Sequence, residues 1–303
     1  MSFEVTILGS SAAIPTAQRS TTSQYVQCHQ RHILIDCGEG TQIQLRKFKI
    51  KFQQIQIILI SHLHGDHVFG LPGLLSTMGL LGRTTPLKIY GPKGIKDLVS
   101  TQLRLVGLKE LFPIEFIELD TKNSNLIYED KCIEIKNIPL KHRVPTNGYL
   151  IREKPHKRRL LKEEFDKTEV SVSYIYKLIQ GEDIVDSSGV EVKSDDVTID
   201  GKPSKSYAFC SDTAFHPEII PHIKGVDLLY HEATFLDTEA ERATETYHST
   251  AKQAATIANE SKAKRLILGH FSARYRDLNM HKEEAETIFE PCFIPEDGEL
   301  FVV

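Results

Sequence analysis

Paired cysteines, long apolar runs and an excess of basic charge are all missing from this sequence. The five cysteines, Cys28, Cys37, Cys132, Cys210 and Cys292, are scattered and form no Cys-x-x-Cys. An odd, dispersed set of this kind excludes a disulfide framework and a thiolate metal site, and the five read as small buried hydrophobes. No apolar stretch approaches the roughly 20 residues needed to cross a bilayer. The opening residues carry no basic segment, apolar core or small-residue cleavage site; Ser2 leads straight into the alternating run Phe3 to Leu8. A cytoplasmic location without membrane attachment is therefore expected. A net charge of −4 gives no global attraction for nucleic acid, so any RNA must be met by local patches.

The composition, 40% hydrophobic and 26% charged, is that of a globular protein. At 303 residues the chain holds one large α/β domain or two ordinary ones. Short β-rich runs alternate with helical ones. Val5–Leu8, Tyr25–Cys28, Ile33–Cys37, Leu87–Tyr90, Ile114–Leu119, Ile133–Ile138, Tyr207–Cys210, Val226–Tyr230 and Arg265–Leu268 read as strands. Gln54 to Ser61, with Ile55, Ile57, Ile58 and Ile60, has the composition of a strand buried on both faces. Helices are expected over Thr41–Phe48, Leu71–Leu81, Gly94–Leu105, Thr250–Ser261 and Lys282–Phe289, with Ser249 as N-cap of the fourth.

These elements predict a layered α/β sandwich, read as a single domain over residues 1–303. A segment from about Arg152 to about Ser206 interrupts it. That segment opens with the basic run Lys154-Pro155-His156-Lys157-Arg158-Arg159, turns acidic at Glu163, Glu164 and Asp166, and closes in Gly- and Asp-rich turns. It reads as an insertion outside the central sheet.

Directly after the Ile-rich run comes His62-Leu63-His64-Gly65-Asp66-His67. Four ligand-type side chains in six residues at the end of a buried strand have no packing rationale. Imidazole and carboxylate are good zinc ligands, and leaving the strand as a loop would let His62 and His64 reach one metal while Asp66 and His67 reach another.

This His-x-His-x-Asp-His pattern resembles the signature of the metallo-β-lactamase superfamily. The resemblance implies an αββα sandwich with one or two zinc ions between the sheets, and it marks three more ligands. They are His142 after the strand near Leu140, Asp212 in Phe209-Cys210-Ser211-Asp212-Thr213, and His270 in Leu268-Gly269-His270-Phe271. The implied division is His62, His64, His142 and Asp212 on one zinc, and Asp66, His67, Asp212 and His270 on the other. The histidine-rich set favours zinc, although manganese or cobalt can support turnover at such sites. Asp36, in Asp36-Cys37-Gly38-Glu39-Gly40, matches a superfamily motif beneath the metals, where it would orient a ligand.

Four further features resemble the ribonuclease Z family within that superfamily. They are Phe69-Gly70-Leu71-Pro72-Gly73 followed downstream by Tyr90-Gly91-Pro92-Lys93-Gly94; His231-Glu232-Ala233-Thr234; His248-Ser249-Thr250; and His270-Phe271-Ser272-Ala273-Arg274-Tyr275. With the ligands they span nearly the whole chain. The resemblance implies a homodimeric endoribonuclease with precursor tRNA as partner, cutting after the discriminator base. Asp66 would then act as general base or water-orienting group, His248 as general acid, and Glu232 as its partner, since a departing ribose 3′-oxygen gains from a proton donor.

Arg274 is expected at a substrate phosphate. The loop Pro15 to Ser20 resembles a family loop near the cleavage site and keeps Pro15 and Arg19, with Arg19 a candidate for substrate binding. It carries Ala17 and Ser20 where the family has Lys and Asn, which leaves the response to a CCA end open. The insertion fits the family's tRNA-clamping arm, with Lys154, Lys157, Arg158 and Arg159 on phosphates, although Ser171 to Lys177 replaces the usual Gly-Pro-rich turn. Another two-metal phosphodiesterase or esterase, or a catalytically silent RNA-binding member, stays open as an alternative at this point.

Overall fold

The structure is a computed structural model and describes residues 2–108 and 112–303. It divides into two compact units, Met1–Arg152 with Lys205–Val303, and Glu153–Ser204. The larger unit holds two seven-stranded sheets. In spatial order the first runs Leu300–Val302, Phe3–Gly9, Ser23–Cys28, Arg31–Ile35, Ile57–Leu59, Leu87–Pro92 and Ile114–Leu119. The second runs Cys292–Phe293, Leu266–Gly269, Leu228–Glu232, Ser206–Cys210, Asn147–Glu153, Ile133–Pro139 and Leu126–Glu129.

Strand periodicity divides the side chains among three apolar layers. Val5, Ile7, Ile33, Ile35, Ile57 and Leu59 of the first sheet meet Tyr149, Ile151, Tyr207, Phe209, Tyr230 and Ile267 of the second between the sheets. The alternate residues Leu8, Leu34, Ile58 and Ile60 face outward onto the helices Thr41–Lys47, Leu71–Leu80 and Ile95–Leu105. On the far side Ala208, Leu229, Leu266 and Leu268 pack against helix Ala251–Ser261, while Ala285 of helix Asn279–Glu286 completes that layer. Helices on both outer faces of two stacked sheets make an αββα sandwich.

Several elements differ from expectation. The Ile-rich strand is only Ile57–Leu59, because Phe52–Gln54 turns as a 3₁₀ helix before it. Asn147–Glu153 is a central strand absent from the expected set. Its partner is Ser206–Cys210, with Arg152 opposite Ser206 in antiparallel register. Those two residues therefore belong to the sheet, and the smaller compact unit spans Glu153–Ser204. The helix over 251–261 is capped by Thr250, not Ser249: Thr250 Oγ1 accepts the Gln253 N–H at 3.2 Å, and the Gln253 side chain returns a bond to the Thr250 N–H. The last helix is Asn279–Glu286, a turn earlier than expected.

The smaller unit buries Phe165, Val170, Leu178, Ile184, Val192 and Val197 around two short antiparallel pairs. Arg158 is committed within it, 2.6 Å from Asp195 and 2.7 Å from Asp200. The Lys157 ammonium lies 4.9 Å from the Tyr176 ring centre. No described helix is long and apolar enough to cross a membrane.

Candidate metal centre

Three strands of the second sheet, Ser206–Cys210, Leu228–Glu232 and Leu266–Gly269, run parallel and end together. Their C-terminal ends bring Asp212, Glu232 and His270 to one edge. Opposite them, His62 and His64 follow the strand Ile57–Leu59, while Asp66 and His67 lie on the short helix Gly65–Val68. His142 arrives from the end of Ile133–Pro139. Sharp turns at strand ends carry a backbone cost. Asp36, Asp212 and His270 hold φ of 57°, 60° and 56°, a left-handed conformation that costs non-glycine residues about 1–2 kcal/mol.

All seven expected ligands converge. His62, His64, His142 and Asp212 form one cluster that can hold a metal ion; Asp66, His67 and His270 form a second. Asp212 faces both. Its Oδ1 lies 3.7 Å from His62 Nε2 and 3.9 Å from His142 Nε2, while Oδ2 lies 3.1 Å from His67 Nε2 and 3.3 Å from His270 Nε2. His62 Nε2 and His64 Nδ1 approach to 2.9 Å. Asp66 Oδ2 lies 3.4 Å from His67 and 3.6 Å from His270, and it accepts the Ala13 N–H at 2.8 Å.

The outer nitrogens of three histidines are fixed by acceptors. His67 Nδ1 meets Asp36 Oδ2 at 2.7 Å, His142 Nδ1 meets the Tyr247 carbonyl at 3.0 Å, and His270 Nδ1 meets Thr234 Oγ1 at 2.9 Å. Each inner Nε2 is buried with no hydrogen-bond partner among the described residues. A buried polar atom without a partner is costly. Three such atoms aimed at one carboxylate, each with its tautomer set from behind, are the donor set a divalent cation requires.

Charge tells the same story. Burial penalises the Asp66 and Asp212 carboxylates, yet the surrounding imidazoles outweigh it and hold both well below the usual carboxylate range. Burial pushes the opposite way at His67, where Asp212, Asp36 and Asp66 raise the imidazole well above its ordinary value. Three carboxylates around one imidazole, those of Asp36 and Asp212 buried, demand positive charge at this point.

Beside the clusters, His248 Nδ1 lies 3.0 and 3.2 Å from the two oxygens of Glu232. Glu232 is fully buried and is the last residue of its strand, not a residue beyond it. It also accepts from Thr213 N–H, Ser249 N–H and Thr234 O–H. Burial disfavours charge on His248, but Glu232 overcomes this and lifts its pKa to about 9. Ser249, freed from capping, donates its hydroxyl to the Thr213 carbonyl and ties this segment to the Asp212 loop.

A cleft of about 210 Å³ opens onto His64, Asp66, Asp212, His248 and His270. Arg274 lines it, its guanidinium 5.1 Å from the Phe235 ring centre and 3.1 Å from Glu239. Arg19 lines a separate polar cleft with Arg276 and Asp297, and donates to Ser10 Oγ and the Pro295 carbonyl. Lys154, Lys157, Arg158 and Arg159 lie in the smaller unit. Sequence reasoning passed over Ser61, whose hydroxyl donates to Asp36, together with Thr234 and the cleft arginines Arg143 and Arg242. The first two had a signal, since each lies inside or beside a motif already singled out.

An αββα sandwich with this histidine–aspartate set at its strand ends defines a protein of the metallo-β-lactamase fold. Two family profiles match, one described as anti-Pycsar protein Apyc1 over residues 3–142 and one as a β-lactamase superfamily domain over residues 196–271. Human short-form tRNase Z superposes with a TM-score of 0.71 at 28% identity, covering 98% of each chain. The metallo-β-lactamase fold protein YhfI of Bacillus subtilis gives 0.71 at 18% identity, over the full length of both. A ribonuclease Z of Parabacteroides distasonis is 46% identical over 296 residues, 98% of this chain and 97% of the relative. One of Bacteroides fragilis is 44% identical with the same coverage. The chain belongs to the ribonuclease Z family.

Proposed function

We propose that the protein is a two-zinc endoribonuclease that cuts precursor tRNA after the discriminator base, leaving a 3′-hydroxyl on the tRNA and a 5′-phosphate on the trailer. The observation that carries the reading is the half-buried His248, paired with the buried Glu232 carboxylate and set against the seven-residue donor centre. His62, His64, His142 and Asp212 would hold one ion, and Asp66, His67, Asp212 and His270 the other. Bound there, divalent cations supply a nucleophilic water at neutral pH and polarise the phosphoryl oxygen.

The chain's own residues do the rest. Asp66, held by the Ala13 N–H, orients the attacking water and takes its proton. The water oxygen forms the new bond to phosphorus as the bond to the ribose 3′-oxygen breaks. His248, kept protonated by Glu232, gives that oxygen a proton. Arg274, stacked on Phe235, meets a substrate phosphate at the cleft edge.

The smaller unit is read as the arm that grips the tRNA body, through Lys154, Lys157 and Arg159. Arg158 braces it internally. A homodimer acting in the cytoplasm completes the proposal, and family resemblance alone supports those two statements. A silent RNA-binding member would have no use for an intact donor set beside a proton donor held by a buried carboxylate. The test is incubation with precursor tRNA, with and without chelator, followed by mapping of product ends. Chelator-sensitive cleavage at the discriminator base is expected; intact precursor, or cuts elsewhere, would defeat the reading.

A further inference from the structure

The cleft beside the donor centre is walled by more positive charge than the centre itself explains. Arg143 and Arg242 line it together with Arg274. Arg143 directly follows His142, and Arg242 sits on helix Ala240–Thr246, which leads into His248. Both are exposed, and neither guanidinium has an ion-pair or hydrogen-bond partner among the described residues. Arg274, by contrast, is paired with Glu239. Glu245 lies three residues from Arg242 on the same helix and makes no ion pair with it.

The acidic side chains that line the cleft, Asp66 and Asp212, both point into the donor centre. They are not available to the arginines. Guanidinium groups left unpaired beside a centre built for cations repel whatever that centre holds, unless an anion lies between them. Only a ligand carrying its own negative charge relieves this, and a guanidinium meets a phosphate through two parallel N–H bonds.

We propose that Arg143 and Arg242 bind consecutive phosphates of the RNA strand, Arg143 the scissile one and Arg242 its neighbour on the His248 side. This rests on the endoribonuclease reading above. Placement decides the division: Arg143 is next in sequence to a donor-centre histidine, whereas Arg242 belongs to the helix ahead of the proton donor. Each arginine then sets the register of the strand, so that the bond presented for cleavage is the one beside His248.

The experiment compares metal-loaded wild type with Arg143→Ala, Arg143→Lys, Arg242→Ala and the double alanine variant, with exposed Arg104→Ala as control. Metal content and melting temperature verify the fold of each. Affinity for precursor tRNA is measured against salt, and single-turnover cleavage is measured on precursors with and without one neutral methylphosphonate linkage next to the scissile phosphate. A phosphate contact on a single strand contributes about 0.7 to the log–log salt slope. Each alanine variant should flatten the slope by about 0.7 and the double variant by about 1.4, while Arg104→Ala leaves it unchanged. Arg143→Lys should keep the slope but lose about tenfold in cleavage rate, because charge survives and the two-bond geometry does not. Arg242→Ala should cost nothing further on the methylphosphonate precursor.

An unchanged slope and affinity in the double variant would overturn the proposal. So would a full Arg242→Ala penalty on the neutralised precursor, which would deny the assignment to the neighbouring phosphate. If wild type itself neither binds nor cuts precursor tRNA, the endoribonuclease reading fails and takes this inference with it. A wild type that cuts normally beside indifferent arginine variants sinks the inference alone.

Discussion

Replacing Glu232 with glutamine alters one atom in a place where every neighbour donates. Oε1 accepts the Thr213 N–H at 2.6 Å; Oε2 accepts the Thr234 hydroxyl at 2.5 Å and the Ser249 N–H at 3.0 Å; His248 Nδ1 contacts both. An amide keeps only one of these oxygens. Whichever way it is placed, its NH₂ faces a backbone N–H that has lost its acceptor. A buried donor stranded in this way costs about 1–3 kcal/mol, and the melting temperature should fall by roughly 2 °C for each kcal/mol.

The effect on rate is larger. With its carboxylate partner, His248 stays protonated until the pH rises through about 9, so an acid-dependent rate is sustained below that value and lost above it. Without the negative charge, burial and Arg143 act to lower the pKa and Asp212 alone opposes them. The basic limb of the pH–rate profile should therefore move to lower pH. His248→Ala should lower single-turnover cleavage by about 10²–10⁴-fold with little change in tRNA affinity. Because Glu232 acts through His248, adding Glu232→Gln to His248→Ala should cost almost nothing more. A wild-type basic limb in Glu232→Gln, or losses that multiply in the double variant, would refute the coupling.

Removing metal should abolish cleavage and lower the melting temperature, since three inward histidine nitrogens are left without a partner; full activity in a verified metal-free sample would contradict the reading. Asp36→Asn should weaken metal affinity by about 10–100-fold through loss of the carboxylate behind His67, measured against a competing chelator, and an unchanged affinity would remove Asp36 from the centre. Replacing Glu153–Ser204 with a Gly/Ser linker should spare metal content and hydrolysis of a small aryl phosphodiester while tRNA processing collapses through lost binding. Loss of both activities would place that segment in the catalytic unit. Neutralising Lys154, Lys157 and Arg159 together should flatten the salt slope by up to about one per contact, with no change counting against a phosphate role.

The ligand side of the centre was legible in the sequence because coordination fixes residue type, and strand ends fix where those residues fall. His142, Asp212 and His270 were marked by the family resemblance, each falling just after a strand. The supporting groups were less legible. The Ala13 N–H, the Thr213 N–H and the Tyr247 carbonyl are backbone atoms, which every residue carries, so no letter marks them. Strand Asn147–Glu153 escaped notice because its apolar core is only Tyr149, Leu150 and Ile151 between polar residues. The cap at Thr250 had a readable cue, Gln253 three positions on, that outweighed the neighbouring Ser249. Arg158 could be read as a cation but not as a paired one, since Asp195 and Asp200 lie some forty residues away.

Arg152 and Ser206 face each other across adjacent strands, so everything between them leaves and re-enters the sheet at one point. The entropy of closing such a loop rises only with the logarithm of its length, about 0.6 kcal/mol for each doubling. Register in this part of the sheet is held by the four pairs from Tyr149–Phe209 to Arg152–Ser206, independently of what the excursion contains. The segment can lengthen, shorten or exchange its surface at little cost to the sandwich. What the smaller unit presents can thus change without disturbing the strand that delivers Asp212 to both histidine clusters.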